Sequence, residues 1–490
     1  MLTAAASLPE AFGQPTGAPI GTVWLYIGTY TGAPGSGGNG QGIYLCQLNL
    51  STGKLTVLKL VSAAPPTGTA PRSPSTIALD PTRTHLYAGN EFGPPGAVSA
   101  YSINRLTGDL TLLNVQPAAG APAHVSVDGS GRYLFSAEYS GSWFEAFPIL
   151  AGGSLGSAVF QQHNLGNVDH SFTQKPATSA PPGSFAFSAH EDDGHPHQME
   201  ADPSNQWVVG PDAGQDRIYV WKLTLGATPP LTPAAVPFVN TPPGDGPRHF
   251  AFHPNGVWMY SIQEEGNTII FWQFNPANGS LTNVQQVSSL PPGFVGTVFT
   301  SEIRVSADGR FVYGVNRLSD TICVFSVGRD GRLTQVSHAS TLGDYPRIIT
   351  IDPSGQFMVS GNQRADNVTT FRINPGNGNG DQGEDNGQDN GQDNGDGGRG
   401  PGSLTFTGNY TAVGSPSGMV FLICSIVAYK SRCGLSRFRL WYCRSQAWEP
   451  DGNRTELRSE NPSSTEDFRS ASARFNSTLT ADHASALQRV

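Results

Sequence analysis

STIALDPTRTHLYAGNE (75–91), AHVSVDGSGRYLFSAEY (123–139), PHQMEADPSNQWVVGPDA (196–213), PRHFAFHPNGVWMYSIQE (247–264), SEIRVSADGRFVYGVNR (301–317) and PRIITIDPSGQFMVSGNQ (346–363) decide the fold when laid in register. Each reads as a short alternating strand, a tight turn and a second strand. With Asp80, Asp128, Asp202, His253, Ser306 and Asp352 as turn anchors, a polar residue follows ten positions later every time: Asn90, Glu138, Asp212, Gln263, Asn316 and Asn362. Turn chemistry accounts for that constancy, because Pro fixes φ, Gly tolerates positive φ and Asp bonds the backbone ahead of it.

Outward from these hairpins, several units continue into a third β-rich run such as NTIIFWQF or DTICVFSV. A Gly-x-Leu turn (Gly108-Asp109-Leu110, Gly279-Ser280-Leu281, Gly331-Arg332-Leu333) and a fourth strand then follow, which makes a four-stranded meander. Anchor separations of 48, 74, 51, 53 and 46 residues match the blade period of a propeller, with one insertion, about 155–195, in the long gap. The opening run VWLYIGTY (23–30) has no anchor of its own, and SLTFTGNYTAVGSPSGMVFL (403–422) reads as its missing half. The expected fold is therefore all-β: a seven-bladed β-propeller of four-stranded antiparallel blades, closed by pairing N- and C-terminal strands in one blade. It spans 23–424, after an N-terminal extension of 1–22. An acidic Gly/Asn/Asp-rich loop at about 374–402 is too polar to bury anything, and 425–490, Arg- and Ser-rich, reads as a disordered basic tail.

Composition agrees with this plan. Gly (59) and Pro (38) make up about a fifth of the 490 residues, and charged residues only 14%, which disfavours helical bundles and coiled coils. A net charge of −9 offers no basic stripe for nucleic acid and no polybasic surface for a membrane, so neither partner is expected. The five cysteines (Cys46, Cys323, Cys424, Cys433, Cys443) give neither a disulfide framework nor a zinc set. No secretory signal is legible at the N-terminus, and the apolar run Gly418–Tyr429 is too short to span a bilayer, so the expected setting is cytoplasmic.

The hairpin register also says where chemistry gathers. Residues four or five before each anchor and ten or eleven after it return to the same end of a blade. That end carries His124, His197, Arg248 with His249, Glu302 and Arg347 before the anchor, and Glu91, Asp212, Glu264 and Arg317 after it. Any one of these taken alone reads as a solvated or paired strand end. Their recurrence at matched register in a chain so poor in charge points to one shared site. Arg248 and Arg317 suit a carboxylate, phosphate or developing oxyanion, and His197 and Glu264 are the available proton-transfer groups. His124, His249, Glu302, Arg347 and Glu91 are candidate substrate contacts. No nucleophile elbow, Walker loop, dinucleotide fingerprint or zinc motif is present, so water attack or simple proton transfer on a small anionic substrate, with no cofactor or metal, is the expected chemistry.

YIGTYT (26–31), HPHQ (195–198), GPRHFAFHPNG (246–256), SEIRVSADGRFVYGVNR, PRIITIDPSGQF and VGSPSGMVFL (413–422) together resemble the seven-bladed propeller lactonases. That family holds the bacterial-type 6-phosphogluconolactonases and the fungal 3-carboxy-cis,cis-muconate lactonizing enzymes. The resemblance implies a functional His, two Arg and a Glu around the channel, which fall on His197, Arg248, Arg317 and Glu264. It implies a cofactor-independent lactone hydrolase of carbohydrate metabolism. The alternatives are the muconate-cyclizing reaction and a non-catalytic propeller scaffold, the last of which predicts a channel mouth without convergent charge.

Overall fold

A computed structural model describes residues 21–32, 38–64, 72–165, 193–376 and 400–422, with short pieces at 12–13, 177, 179–185, 190 and 424–425. Seven antiparallel four-stranded sheets make up the ring. Their innermost strands are Pro416–Leu422 (blade I), Pro74–Leu79 (II), Ala121–Val127 (III), Glu200–Ala201 (IV), Pro247–Phe252 (V), Phe299–Val305 (VI) and Pro346–Ile351 (VII). Neighbouring blades meet in that order, and blade VII returns to blade I.

Among the described residues the buried apolar side chains gather in seven separate clusters, one at each blade–blade interface, and not in a single central core. Each sheet is thus covered on both faces. In Thr22–Thr29 the residues Val23, Leu25 and Ile27 pack towards blade VII, whereas Trp24 and Tyr26 pack towards blade II. This double burial explains why the second strands read as continuous apolar runs instead of alternating ones.

The anchor turns are held by the carboxylates the repeat predicts. Asp352 Oδ1 accepts from the amides of Gln356 (2.9 Å) and Phe357 (2.6 Å), and Oδ2 from Ser354 N (2.9 Å). Asp128 and Asp202 repeat the pattern. Where His253 stands instead, its Nδ1 accepts from a single amide, that of Asn255.

The glycines of the Gly-x-Leu turns have a tertiary role. Tyr260 Oη donates to the carbonyl of Gly331 in the next blade at 2.7 Å, and Tyr26 does the same to Gly108 at 2.9 Å. Gly331 lies at φ 85°, and a Cβ there would sit 2.4 Å from Phe271 Cζ.

Two expectations need correction. The run 403–422 is not half of one blade: Leu404–Ala412 is the outer strand of blade VII, and only Pro416–Leu422 joins the N-terminal strands. The stretch 155–195 is not all insertion, since Phe160–His163 forms the outer strand of blade III. Strand pairing also reaches past the ring, with Phe12–Gly13 on Cys424–Ser425. The acidic tract joins two paired strands of blade VII, Asn367–Ile373 and Leu404–Ala412. Its residues 377–399 and the tail from 426 lie outside the described residues, so the loop and disorder expectations for them do too. Cys46 and Cys323 are free and buried. Among the described residues no helix is long and apolar enough to cross a membrane.

Candidate active site

The inner strands carry a device absent from the hairpin register. In blades I, II, III, V and VII the pairing between the first and second strands slips by one residue, leaving Ser417, Ser75, Ala123, Arg248 and Arg347 as the extra residue of a bulge. In blade VI the slip covers Ser301 and Glu302. A bulge re-aims side chains that strict alternation would send to opposite faces. Arg248 and its neighbour His249 accordingly both line the channel cavity.

Glu264, from the end of the second strand of blade V, sits between two guanidinium groups. Its Oε2 lies 3.0 Å from Arg248 Nε, and its Oε1 is paired with Arg317 Nη2. Arg317 also donates to Thr300 O (2.8 Å) and Tyr345 Oη (3.1 Å), and Arg248 to Ser301 O. Both arginines are buried, as is Glu264. Burial opposes the carboxylate charge, yet Arg317 and Arg248 outweigh it and hold Glu264 well below the usual carboxylate range. Burial takes Arg248 down to about 10 against the pull of Glu264.

The three channel histidines are neutral for the opposite reason. Burial, reinforced by Arg248, drives His197 well below its ordinary value. His124 is lowered by burial and then by His249, while burial takes His249 to about 4 despite the neighbouring Glu302. The imidazoles of His197 and His249 are 5.0 Å apart, and those of His124 and His249 5.6 Å. His197 Nδ1 and His124 Nδ1 have no hydrogen-bond partner. His249 Nδ1 meets Glu302 Oε1 at 3.3 Å. Among the described residues no group of three His, Cys, Asp or Glu side chains is set to hold a metal ion.

Glu91 and Arg347 complete the circle from blades II and VII. Arg347 Nη2 is 3.8 Å from Glu91 Oε2, and Glu91 accepts from Tyr30 Oη (2.6 Å) and Ser75 Oγ (2.7 Å). Of the nine expected site residues, His124, Arg248, His249, Glu302 and Arg347 line the channel cavity, and His197, Glu264, Arg317 and Glu91 adjoin them, contrary to the bare mouth a scaffold predicts. Asp212 differs. Its carboxylate is consumed by the amides of His195, Gly214 and Gln215 and by Asn164 Nδ2, so it shapes the turn after the second strand of blade IV. Positions ten after the anchor are structural in general: Asn90, Asn316 and Asn362 bond buried neighbours within and between blades, and the eleventh position carries the site.

Two further residues around the site were not among the expected ones. Tyr139 packs 5.5 Å from His197 and 4.4 Å from His195. His190, outside the repeat, places Nδ1 3.1 Å from Glu265 Oε1, and although burial lowers it, Glu265 raises it further. His190 stands outside every repeat, and no periodicity reveals it. Tyr139 stands at the same eleventh position as Glu264 and Arg317 and was legible in that register.

A sequence model described as "Lactonase, 7-bladed beta-propeller" matches residues 24–387. The chain is 33% identical over 348 residues to a 6-phosphogluconolactonase of Bacillus subtilis, covering 71% of this chain and 90% of that one. It is 31% identical over 339 residues to a 6-phosphogluconolactonase of Pectobacterium carotovorum, covering 69% and 90%. Among solved structures it resembles the periplasmic gluconolactonase of Pseudomonas aeruginosa, with a TM-score of 0.66 and 27% identity over 83% of this chain and 100% of the other. The closed ring, the channel register and these likenesses agree, and the chain belongs to the lactonase family of seven-bladed β-propellers.

Proposed function

We propose that the protein hydrolyses 6-phosphogluconolactone to 6-phosphogluconate without a cofactor. The observation that carries this reading is the buried Arg248–Glu264–Arg317 cluster at the channel end, with a neutral histidine close by. The names of its relatives support the substrate.

In the proposed reaction His197 takes a proton from water, whose oxygen bonds the lactone carbonyl carbon. The carbonyl oxygen becomes an oxyanion facing Arg317 and Arg248, donors already fixed before reaction. As that intermediate collapses, the bond from carbonyl carbon to ring oxygen breaks, and His197 returns its proton to the leaving ring oxygen. A ring-opened acid results, with one water consumed. Both oxygens of Glu264 are taken up by Arg248 and Arg317, whereas His197 Nδ1 has no hydrogen-bond partner. The role of Glu264 in this mechanism is to position the two arginines.

The test is a direct assay of the purified chain with 6-phosphogluconolactone and, separately, with 3-carboxy-cis,cis-muconate. Acid release from the first substrate alone is expected. Turnover of the muconate alone overturns the hydrolase reading in favour of ring closure in the same site.

A further inference from the structure

The cavity of the channel extends from the arginine cluster along the inner strands. Its volume is about 460 Å³ with the open mouth included. Arg248, Arg304 and Arg347 line it against a single lining carboxylate, Glu302. That carboxylate is already engaged, accepting from Ile303 N (3.0 Å) and Arg304 Nη2 (3.4 Å) and meeting His249 Nδ1 (3.3 Å). Glu264 and Glu91 stand behind Arg248 and Arg347 as their partners, and Gln198 donates to Glu200, which burial raises. The remaining lining residues of blades I and II, such as Ser75, Thr76 and Ser417, are uncharged.

Arg304 is not in the hairpin register of site residues. It stands three residues along the strand from Ser301, whose carbonyl accepts from Arg248. Its Nε is tied to Ile349 O at 3.2 Å and one Nη to Glu302, which leaves the other Nη for an anion; its side chain is 37% exposed. The guanidinium groups of Arg304 and Arg347, set on the walls of the cavity that Arg248 also lines, suit a terminal phosphate.

We propose that this cavity is a phosphate subsite, in which Arg304, with Arg347, holds the terminal phosphate of a substrate whose lactone carbonyl lies against His197 and Arg317. The inference rests on the lactonase reading above and adds the residue that selects phosphorylated over plain sugar lactones.

Two measurements test it. In kinetics, the wild-type chain prefers 6-phosphogluconolactone to gluconolactone; Arg304→Met lowers that preference at least tenfold, mainly through KM, and Arg304→Lys recovers part of it. In calorimetric titration, inorganic phosphate binds the wild-type chain and binds Arg304→Met at least tenfold more weakly. A preference retained in Arg304→Met, or phosphate binding indifferent to the substitution, overturns the subsite. If neither lactone is hydrolysed, the lactonase reading fails by itself, and the phosphate titration still decides the subsite.

Discussion

His197 is where the channel makes its clearest demand on one residue. A base must be unprotonated to act, and burial with Arg248 nearby keeps this imidazole neutral well below its ordinary value near 6.5. Hydrolysis is therefore expected to stay near its pH 7 rate down through pH 6.5 and to fall only further into acid. An acid limb centred at or above 6.5 in kcat/KM contradicts the assignment. His197→Ala should keep the thermal melt and lose at least a hundredfold in kcat, in the range of general-base removal; retained turnover excludes His197. Asp245 makes a different test of burial. Interred beside Asp216 and accepting from Gln286 (2.9 Å) and Ser179, it is pushed up to about 7. With the folded value raised, the unfolded chain ionises first as pH climbs from 4, so the contribution of this carboxyl to wild-type stability falls up to pH 7 and levels off above it. Asp245→Asn does not titrate, so its stability relative to the wild type should improve across pH 4–7 by as much as about 4 kcal/mol. Denaturant melts at several pH values measure that slope, and a flat difference refutes it. At this scale the sequence displayed residue type and register but not ionisation, because burial and neighbouring charge are set by blades distant along the chain.

Hairpins and their turns are the most legible elements, since a short anchor turn built from Asp, Pro and Gly in varying combination recurs six times at a constant spacing to the polar residue ten positions on. Bulges are not, because a slip in pairing depends on what the neighbouring strand presents, and nothing in PRHFAF distinguishes a bulged Arg248 from a regular one. The same limit hid the division of 403–422 between two blades: both halves are equally β-rich, and only the ring shows which sheet each joins. The inter-blade contact of Tyr260 with Gly331 is a third case, a turn signal in sequence that proves to be a docking point. Tyr260→Phe leaves a buried carbonyl without its donor and should cost about 1–2 kcal/mol. Gly331→Val meets both the positive φ and the ring of Phe271 and should cost more than Tyr260→Phe. Equal or smaller loss in the valine variant, read from paired chemical melts, means that the Gly331 turn shifts away from Phe271 without penalty.

A ring of blades has no element that can be removed without opening it, and blade I shows where the ring is weakest. Its innermost strand, Pro416–Leu422, is the only piece drawn from the far end of the described chain, and it pairs with Thr22–Thr29 across the whole sequence. Met419 and Phe421 pack into the interface with blade VII, and Leu422 into that with blade II. At about 1.5–3 kcal/mol for each buried side chain, losing these three together approaches the entire net stability of a typical domain, about 5–15 kcal/mol. The same strand supplies Ser417, Gly418 and Met419 to the channel cavity, so closure and the site share one structural support. A chain ending at residue 412 should therefore yield no cooperative melt and no lactone hydrolysis, whereas one ending at residue 428, past the last described strand, Cys424–Ser425, should keep both. Circular dichroism melts and the lactone assay on the two truncations separate the cases. A shorter chain that still melts cooperatively means that six complete blades and three strands close the ring unaided, and the argument from blade I then fails.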